Sequence, residues 1–288
     1  MKESNFLFRL FCFLFLPLIL KGQELKSFNR DTLWGYKDQM DNVVIKPQYQ
    51  LAKKFVDDYA VVYKNDSAGI IDKKNNIIIP FRYNLLQHIE NDHFLFGYQA
   101  KYFGEYNVGI MDKNLKIIIP ANFYYIQKNK NFYKVTKHID TILQANDSGD
   151  LRSVKSLYGL FDLEGKEIIP CKYDQIIFLN DNLIVLEKDN LQALFNYKGQ
   201  ALTDFIYMVF GDFHDGLAKA RIKNKYGFIN KVGKIVIPIK YDYCHEFSNG
   251  LSIVTLNKKW LAINIKGKII IKHKNSYEEV KKIVDSMN

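Results

Sequence analysis

Residues 217–250 read LAKARIKNKYGFINKVGKIVIPIKYDYCHEFSNG, and this stretch decides the fold. Three short segments in it are rich in β-branched and aromatic residues: Leu217–Ile222, Tyr226–Asn230 and Lys234–Ile239. Each is four to six residues long and bounded by turn formers, which predicts strands rather than helices. Three residues after Gly227 stands Asn230, and three further on stands Gly233. An Asx side chain bonds the turn backbone, and glycine takes positive φ at low cost, so this is a tight hairpin loop. Pro238 lacks an N–H and marks a strand margin or a bulge. Three residues later comes Tyr241, whose ring is expected to pack on the following unit.

Reading outward, the same pattern recurs along the chain. The closing aromatic falls at Tyr49, Tyr83, Phe123, Tyr173, Tyr207 and Tyr241, with gaps of 34, 40, 50, 34 and 34. The opening glycine falls at Gly35, Gly69, Gly109, Gly159 and Gly227, with Ala193 and Leu261 in phase at the two remaining places. The Asx position reads Asp38, Asp72, Asp112, Asp162, Asn196, Asn230 and Asn264. A fixed period of this size means an array of supersecondary units. The expected fold is all-β: seven tandem units of about 34 residues, each a three-stranded antiparallel sheet. Such units either close into a propeller-like ring or stack as an open β-solenoid. Closure protects the sheet edges, and copy number favours the ring. Ser276 and Glu279 form a capping box, and Val280, Ile283, Val284 and Met287 fall on one helical face, which predicts a short amphipathic helix over 275–288.

The repeat domain spans residues 23–274. Residues 1–22 precede it, with the apolar run LFCFLFLPLIL at Leu10–Leu20 between Arg9 and Lys21. That is short for a spanning helix and reads as a secretory signal peptide. The expected location is therefore outside the cytoplasm: periplasmic, cell-surface or secreted, with no membrane span once the signal is cleaved. Without residues 1–22 the balance is 38 basic to 30 acidic side chains, because Lys2, Arg9 and Lys21 leave with Glu3. The lysines are spread through every repeat without a dense basic block, and an exported chain meets little nucleic acid, so nucleic-acid binding is not expected. Cys171 and Cys244 lie in different places of non-adjacent repeats and are read as two buried thiols.

Trp34-Gly35-Tyr36 with Ile45-Lys46-Pro47-Gln48-Tyr49, and Tyr226-Gly227-Phe228 with Gly233 to Pro238 and Tyr241, resemble the bacterial WG-repeat family. The resemblance covers essentially the whole chain after residue 22. Tryptophan itself stands only at Trp34 and Trp260, and unit five has Asp204 where the proline belongs. The resemblance implies a binding or surface module and no activity.

Two units carry insertions, of 6 and 16 residues, between their first and second strands. Both insertions are even, so both arms of a hairpin lengthen together. Projections from a repeat scaffold are frequent binding elements. The candidate binding residues are accordingly Tyr98, Tyr102, Phe103 and Tyr106 on the first hairpin, and Asp147, Asp150 and Arg152 at the tip of the second. Exposed aromatics suit protein or sugar contacts. No motif for a catalytic triad, a phosphate-cradling loop or a metal cluster is present, so no catalytic, cofactor or metal residue is assigned. The expectation is an exported, non-enzymatic scaffold that binds a protein or a cell-envelope glycan. The alternative is a glycan-acting or ester hydrolase on a propeller scaffold, using carboxylates such as Asp204 and Asp215. A third reading is a structural subunit of an envelope complex.

Overall fold

The computed structural model describes residues 24–90, 92–101, 104–146, 149–179 and 182–287, with the backbone alone over 140–146 and 149–152. The expected signal peptide lies outside the described residues. Seven antiparallel sheets follow one another. The first holds β1 (Lys26–Arg30), β2 (Leu33–Lys37) and β3 (Val43–Tyr49). The second holds β4 (Leu51–Ala52), β5 (Tyr59–Lys64), β6 (Ser67–Asp72) and β7 (Ile77–Tyr83). The third holds β8 (Leu85–Glu90), β9 (His93–Gln99), β10 (Tyr106–Asp112) and β11 (Ile117–Phe123). The fourth holds β12 (Tyr125–Asn129), β13 (Phe132–Asn146), β14 (Gly149–Asp162) and β15 (Glu167–Tyr173). The fifth holds β16 (Gln175–Phe178), β17 (Leu183–Lys188) and β18 (Leu191–Asn196). The sixth holds β19 (Val209–His214), β20 (Leu217–Ile222), β21 (Lys225–Asn230) and β22 (Ile235–Tyr241). The seventh holds β23 (Tyr243–Cys244), β24 (Leu251–Leu256), β25 (Lys259–Asn264) and β26 (Ile269–Lys274), and α1 (Tyr277–Asp285) closes the chain. The chain divides into two compact units, Met1–His88 and Ile89–Asn288.

Most sheets therefore have four strands, where the sequence pattern predicts three. The fourth begins immediately after the closing aromatic of the preceding repeat. Tyr49 ends β3 and Leu51 opens β4; Tyr241 ends β22 and Tyr243 opens β23. These strands can be as short as two residues, too short to show a period in sequence. The closing aromatics Tyr49, Tyr83, Phe123, Tyr173, Tyr207 and Tyr241 are all buried. Tyr49 sits in one apolar cluster with Ala52, Phe55, Ala60, Val62 and Ile71, so it joins its own sheet to the next. Its hydroxyl donates to Asn75 Oδ1 at 2.6 Å, a side-chain acceptor in the following hairpin turn.

The turn that follows the Asx residue has the same bonds in all seven repeats. Asn42 N donates to Asp38 Oδ1 at 2.9 Å, and Asp41 N donates to the Asp38 carbonyl at 3.2 Å. The equivalent side-chain bond recurs from Asn76, Lys116, Lys166, Gln200, Lys234 and Lys268. The Asx residues are thus occupied as turn caps. Leu115, which breaks the Gly/Asn/Asp pattern, itself takes φ +66°, whereas its neighbour Asn114 does not adopt positive φ.

In the five repeats that hold both, the glycine and the proline form one device. In the sixth sheet Tyr226 faces Tyr241 and Phe228 faces Ile237, so the third strand carries two extra residues as a bulge around Pro238. That bulge presses the backbone onto Gly227, where an added Cβ would lie 2.5 Å from the Ile237 carbonyl oxygen and 2.7 Å from that of Pro238. In the seventh sheet Leu261 and Lys272 replace the pair. There Trp260 faces Lys274 and Ala262 faces Ile271, so the bulge holds one extra residue. In the fifth, with Ala193 and Asp204, no third strand forms after β18. Residues 201–207 instead run beside β18 through isolated bridges, and Thr203 Oγ1 accepts from Leu194 N at 2.9 Å.

The helix is shorter than the expected 275–288. Ser276 Oγ accepts from Glu279 N at 3.2 Å, as the capping signal predicts. Val280 is fully buried against Ile253, Ala262 and Ile271, with Tyr277, Ile283 and Val284 packed around it. Met287 is exposed and lies past the helix end, so it does not belong to the buried face. Cys244 is a buried free thiol, as expected, but Cys171 is only half-buried, with Sγ 3.2 Å from the Leu157 carbonyl oxygen. Burial pushes both thiols up from their ordinary range.

Candidate functional site

The two insertions form the hairpins that the even spacing predicts. β9 and β10 pair from His93–Asp112 out to Tyr106–Gln99, and Ala100 N donates to the Glu105 carbonyl at 2.9 Å across the loop, with Gly104 at φ +82°. β13 and β14 pair from Phe132–Asp162 out to Asn146–Gly149, with one register shift between Ile142 and Gln144. The projecting arms lie in sheets three and four.

The predicted site residues separate on this frame. Tyr106 is half-buried and lines a groove of about 420 Å³ together with Asn107, Asn122, Tyr124, Lys137 and His138. Tyr98 is 43% exposed and packs edge-on against Phe96 at 5.9 Å, outside that groove. Tyr102, Phe103 and Asp147 lie outside the described residues. Asp150 and Arg152 are on β14, opposite Ala145 and Ile142, and their side chains lie outside the described residues. These two stand further out on the long hairpin than the groove, whose level is set by the pair His138–Ser156.

A second groove of about 330 Å³ lies on the fourth sheet, lined by Tyr125 and Gln127 of β12, Lys134, Thr136 and His138 of β13, and Ser156 and Tyr158 of β14. These residues share a face because strand side chains alternate and the register sets Tyr125 opposite Thr136 and Thr136 opposite Tyr158. Tyr124 and His138 line both grooves, and their rings stack with centroids 3.5 Å apart and planes 25° apart. The stacked pair is therefore a ridge with a groove on either side. Tyr124 is 41% and Tyr125 55% exposed.

The electrostatics of this face are cationic. Lys134 is half-buried, with Nζ 4.6 Å from the Tyr158 ring centroid and 3.3 Å from the Ile176 carbonyl oxygen. Burial alone holds its ammonium below the ordinary lysine range. Lys137 Nζ lies 5.1 Å from the Phe123 ring centroid. Both contacts are cation–π geometries. Sequence reasoning reached the hairpins and Tyr106 but missed Tyr124, Tyr125, Lys134, His138 and Tyr158. The signal was present in the doublet Tyr124-Tyr125 and in the alternation Lys134, Thr136, His138. Only the pairing register brings them together.

A larger groove, of about 620 Å³, runs under α1. Two close polar pairs line it: His214 Nε2 lies 3.1 Å from Glu246 Oε2, and Lys281 Nζ lies 2.7 Å from Asp285 Oδ2. Asp215 accepts from Gly250 N at 2.7 Å and so ties one turn to the next. Among the described residues, no group of three or more metal-ligating side chains comes together.

The profile of the family described as "WG containing repeat" matches residues 34–66, 69–100, 158–191, 194–226 and 226–260, which together are more than half of the chain. The chain belongs to the WG-repeat family. The matched segments bracket the insertions, and the unmatched span 101–157 contains most of the grooved face. A search of curated proteins returns no match to this sequence. Among solved structures, the chain is similar to Hsv2p of Kluyveromyces lactis, at 8% identity, 84% of this chain, 89% of that one and a TM-score of 0.28. It is also similar to the extracellular domain of a hybrid two-component system of B. thetaiotaomicron, at 10% identity, 84% and 42% coverage and a TM-score of 0.25. The biofilm matrix protein Bap1 of V. cholerae matches at 7% identity, 88% and 62% coverage and a TM-score of 0.21. Among the described residues no helix is long and apolar enough to cross a membrane.

Proposed function

We propose that this WG-repeat protein is an exported, non-enzymatic scaffold that binds a protein or cell-envelope glycan on the face of the two extended hairpins. The observation that carries the reading is the Tyr124–His138 ridge with a groove on each side, built where the repeat pattern is interrupted. Exposed aromatic rings beside amide and hydroxyl groups are interface chemistry for both partner classes. Export rests on the apolar segment Leu10–Leu20.

The test is in-cell crosslinking of the tagged protein in its native host, with mass spectrometry of partners and crosslinked positions. Residues 137–155 can be removed cleanly, because Thr136 pairs with Tyr158 and only Ser156 and Leu157 would remain as the loop. A two-residue loop is the normal hairpin connection, and β20 and β21 use one. The deletion, combined with Tyr102→Ala and Phe103→Ala, is expected to abolish capture. Capture that is unchanged would remove the hairpin face from the reading.

A further inference from the structure

The β12–β14 groove specifies a kind of partner. Its lining holds one ammonium, Lys134, one amide, Gln127, two hydroxyl side chains, Thr136 and Ser156, and four rings, but no carboxylate. Lys134 uses one carbonyl oxygen and one ring face, and among the described residues no carboxylate pairs with its ammonium. The aromatic faces are negative at their centres and accept polarised C–H groups. A pyranose ring presents such C–H groups on one face and hydroxyls around its edge. A uronic acid adds a carboxylate, which completes the environment of Lys134.

We propose that this groove binds an acidic glycan, with a uronate carboxylate on Lys134 Nζ and the sugar ring against Tyr125. The chain would continue over the Tyr124–His138 ridge into the second groove, which is lined by Lys101, Lys137 and the amides of Asn107 and Asn122 together with one carboxylate, Glu105. This rests on the scaffold reading above and selects the glycan from its two partner classes. The lowered proton affinity of Lys134 fits the assignment, since a bound carboxylate restores the charged form. Affinity is then expected to fall as pH rises, because the unliganded ammonium loses its proton earlier than an ordinary lysine.

The experiment is isothermal titration of the protein purified from its native host. The probes are oligogalacturonate as the uronate, dextran as a neutral glycan and dextran sulfate as a general polyanion. Oligogalacturonate is expected to bind, and dextran to bind at least about tenfold more weakly, given the strength of hydrogen bonds to charged groups. Lys134→Met and Tyr125→Ala are each expected to weaken oligogalacturonate binding about tenfold or more. Tyr125 is more than half exposed, so its replacement leaves the fold intact. Lys266→Met, in an exposed turn, is the charge-matched control and is expected to change nothing.

Absence of oligogalacturonate binding overturns the proposal. So does equal weakening by Lys266→Met with tighter binding of dextran sulfate, which would mean diffuse attraction to net charge. The scaffold reading fails separately, through crosslinks that ignore the hairpins. A protein crosslinked at the hairpin face and unaffected by Lys134→Met keeps that reading and removes the glycan.

Discussion

Gly227→Ala tests whether the repeat glycine exists for the bulge it faces. An alanine Cβ at this site would sit 2.5 Å from the Ile237 carbonyl oxygen. Ordinary carbon–oxygen approach is about 3.3 Å, so the two strands must part by roughly 0.8 Å. The opposing atoms are backbone on a strand pinned on both sides, by the Tyr226–Tyr241 and Phe228–Ile237 pairs, so no side chain can rotate away. Overpacking of this kind costs about 1–3 kcal/mol, and the strand gains back about 0.5–1 kcal/mol when alanine replaces glycine. Three backbone atoms lie within 2.8 Å of that Cβ, so the upper end of the cost applies and the expected net loss is about 2 kcal/mol. Urea unfolding followed by circular dichroism measures it, with the slope checked against the parent because repeat arrays can lose cooperativity. Ala193→Gly is the matched control, since the fifth sheet has no third strand at this position. It is expected to destabilise by about 1 kcal/mol through backbone entropy and a lost methyl contact. A Gly227→Ala protein within about 0.5 kcal/mol of the parent would refute the reasoning, because a rigid bulge cannot absorb a Cβ at that distance without cost.

Leu115→Gly is expected to stabilise the protein by about 1 kcal/mol, because Leu115 holds a left-handed φ that costs a side chain about that much; thermal melting checks it. Asn230→Ala removes the acceptor of the Val232 and Lys234 amides and is expected to cost about 1 kcal/mol by urea unfolding. Burial pushes the Tyr133 phenol up to about 12, against an ordinary value near 10. Its contribution to stability is complete below about pH 10 and is lost as pH rises towards 12, so Tyr133→Phe should flatten that part of the alkaline stability profile. Thiol labelling in the native state should modify half-buried Cys171 before buried Cys244, with Cys244 reacting only on unfolding.

Much of this architecture was legible from residue order because repetition amplifies weak local signals. A single Asp-x-x-Gly or Pro-x-x-Tyr says little, but seven units in phase fix the repeat count, the turn type and the position of both insertions. The Asx turns illustrate this: each depends on a side chain bonding backbone four residues away, so sequence contains the whole interaction. The helix start was legible for the same reason, through Ser276 and Glu279. The fourth strand was not, because two residues such as Leu51–Ala52 become a strand only when β5 offers them an edge.

The grooved face divides along the same line. Sequence alone determined that residues 94–109 and 132–159 are long hairpins, because the insertions are even and sit between paired strands. It could not determine that Tyr124 stacks on His138 or that Lys134 meets Tyr158, since those contacts depend on the register between β12, β13 and β14. A one-residue slip in that register would send Lys134, Thr136 and His138 to the opposite face of the sheet. Local chemistry wrote the turns and the strands; cross-strand register, a property of the folded sheet alone, placed four rings and one ammonium around the same groove.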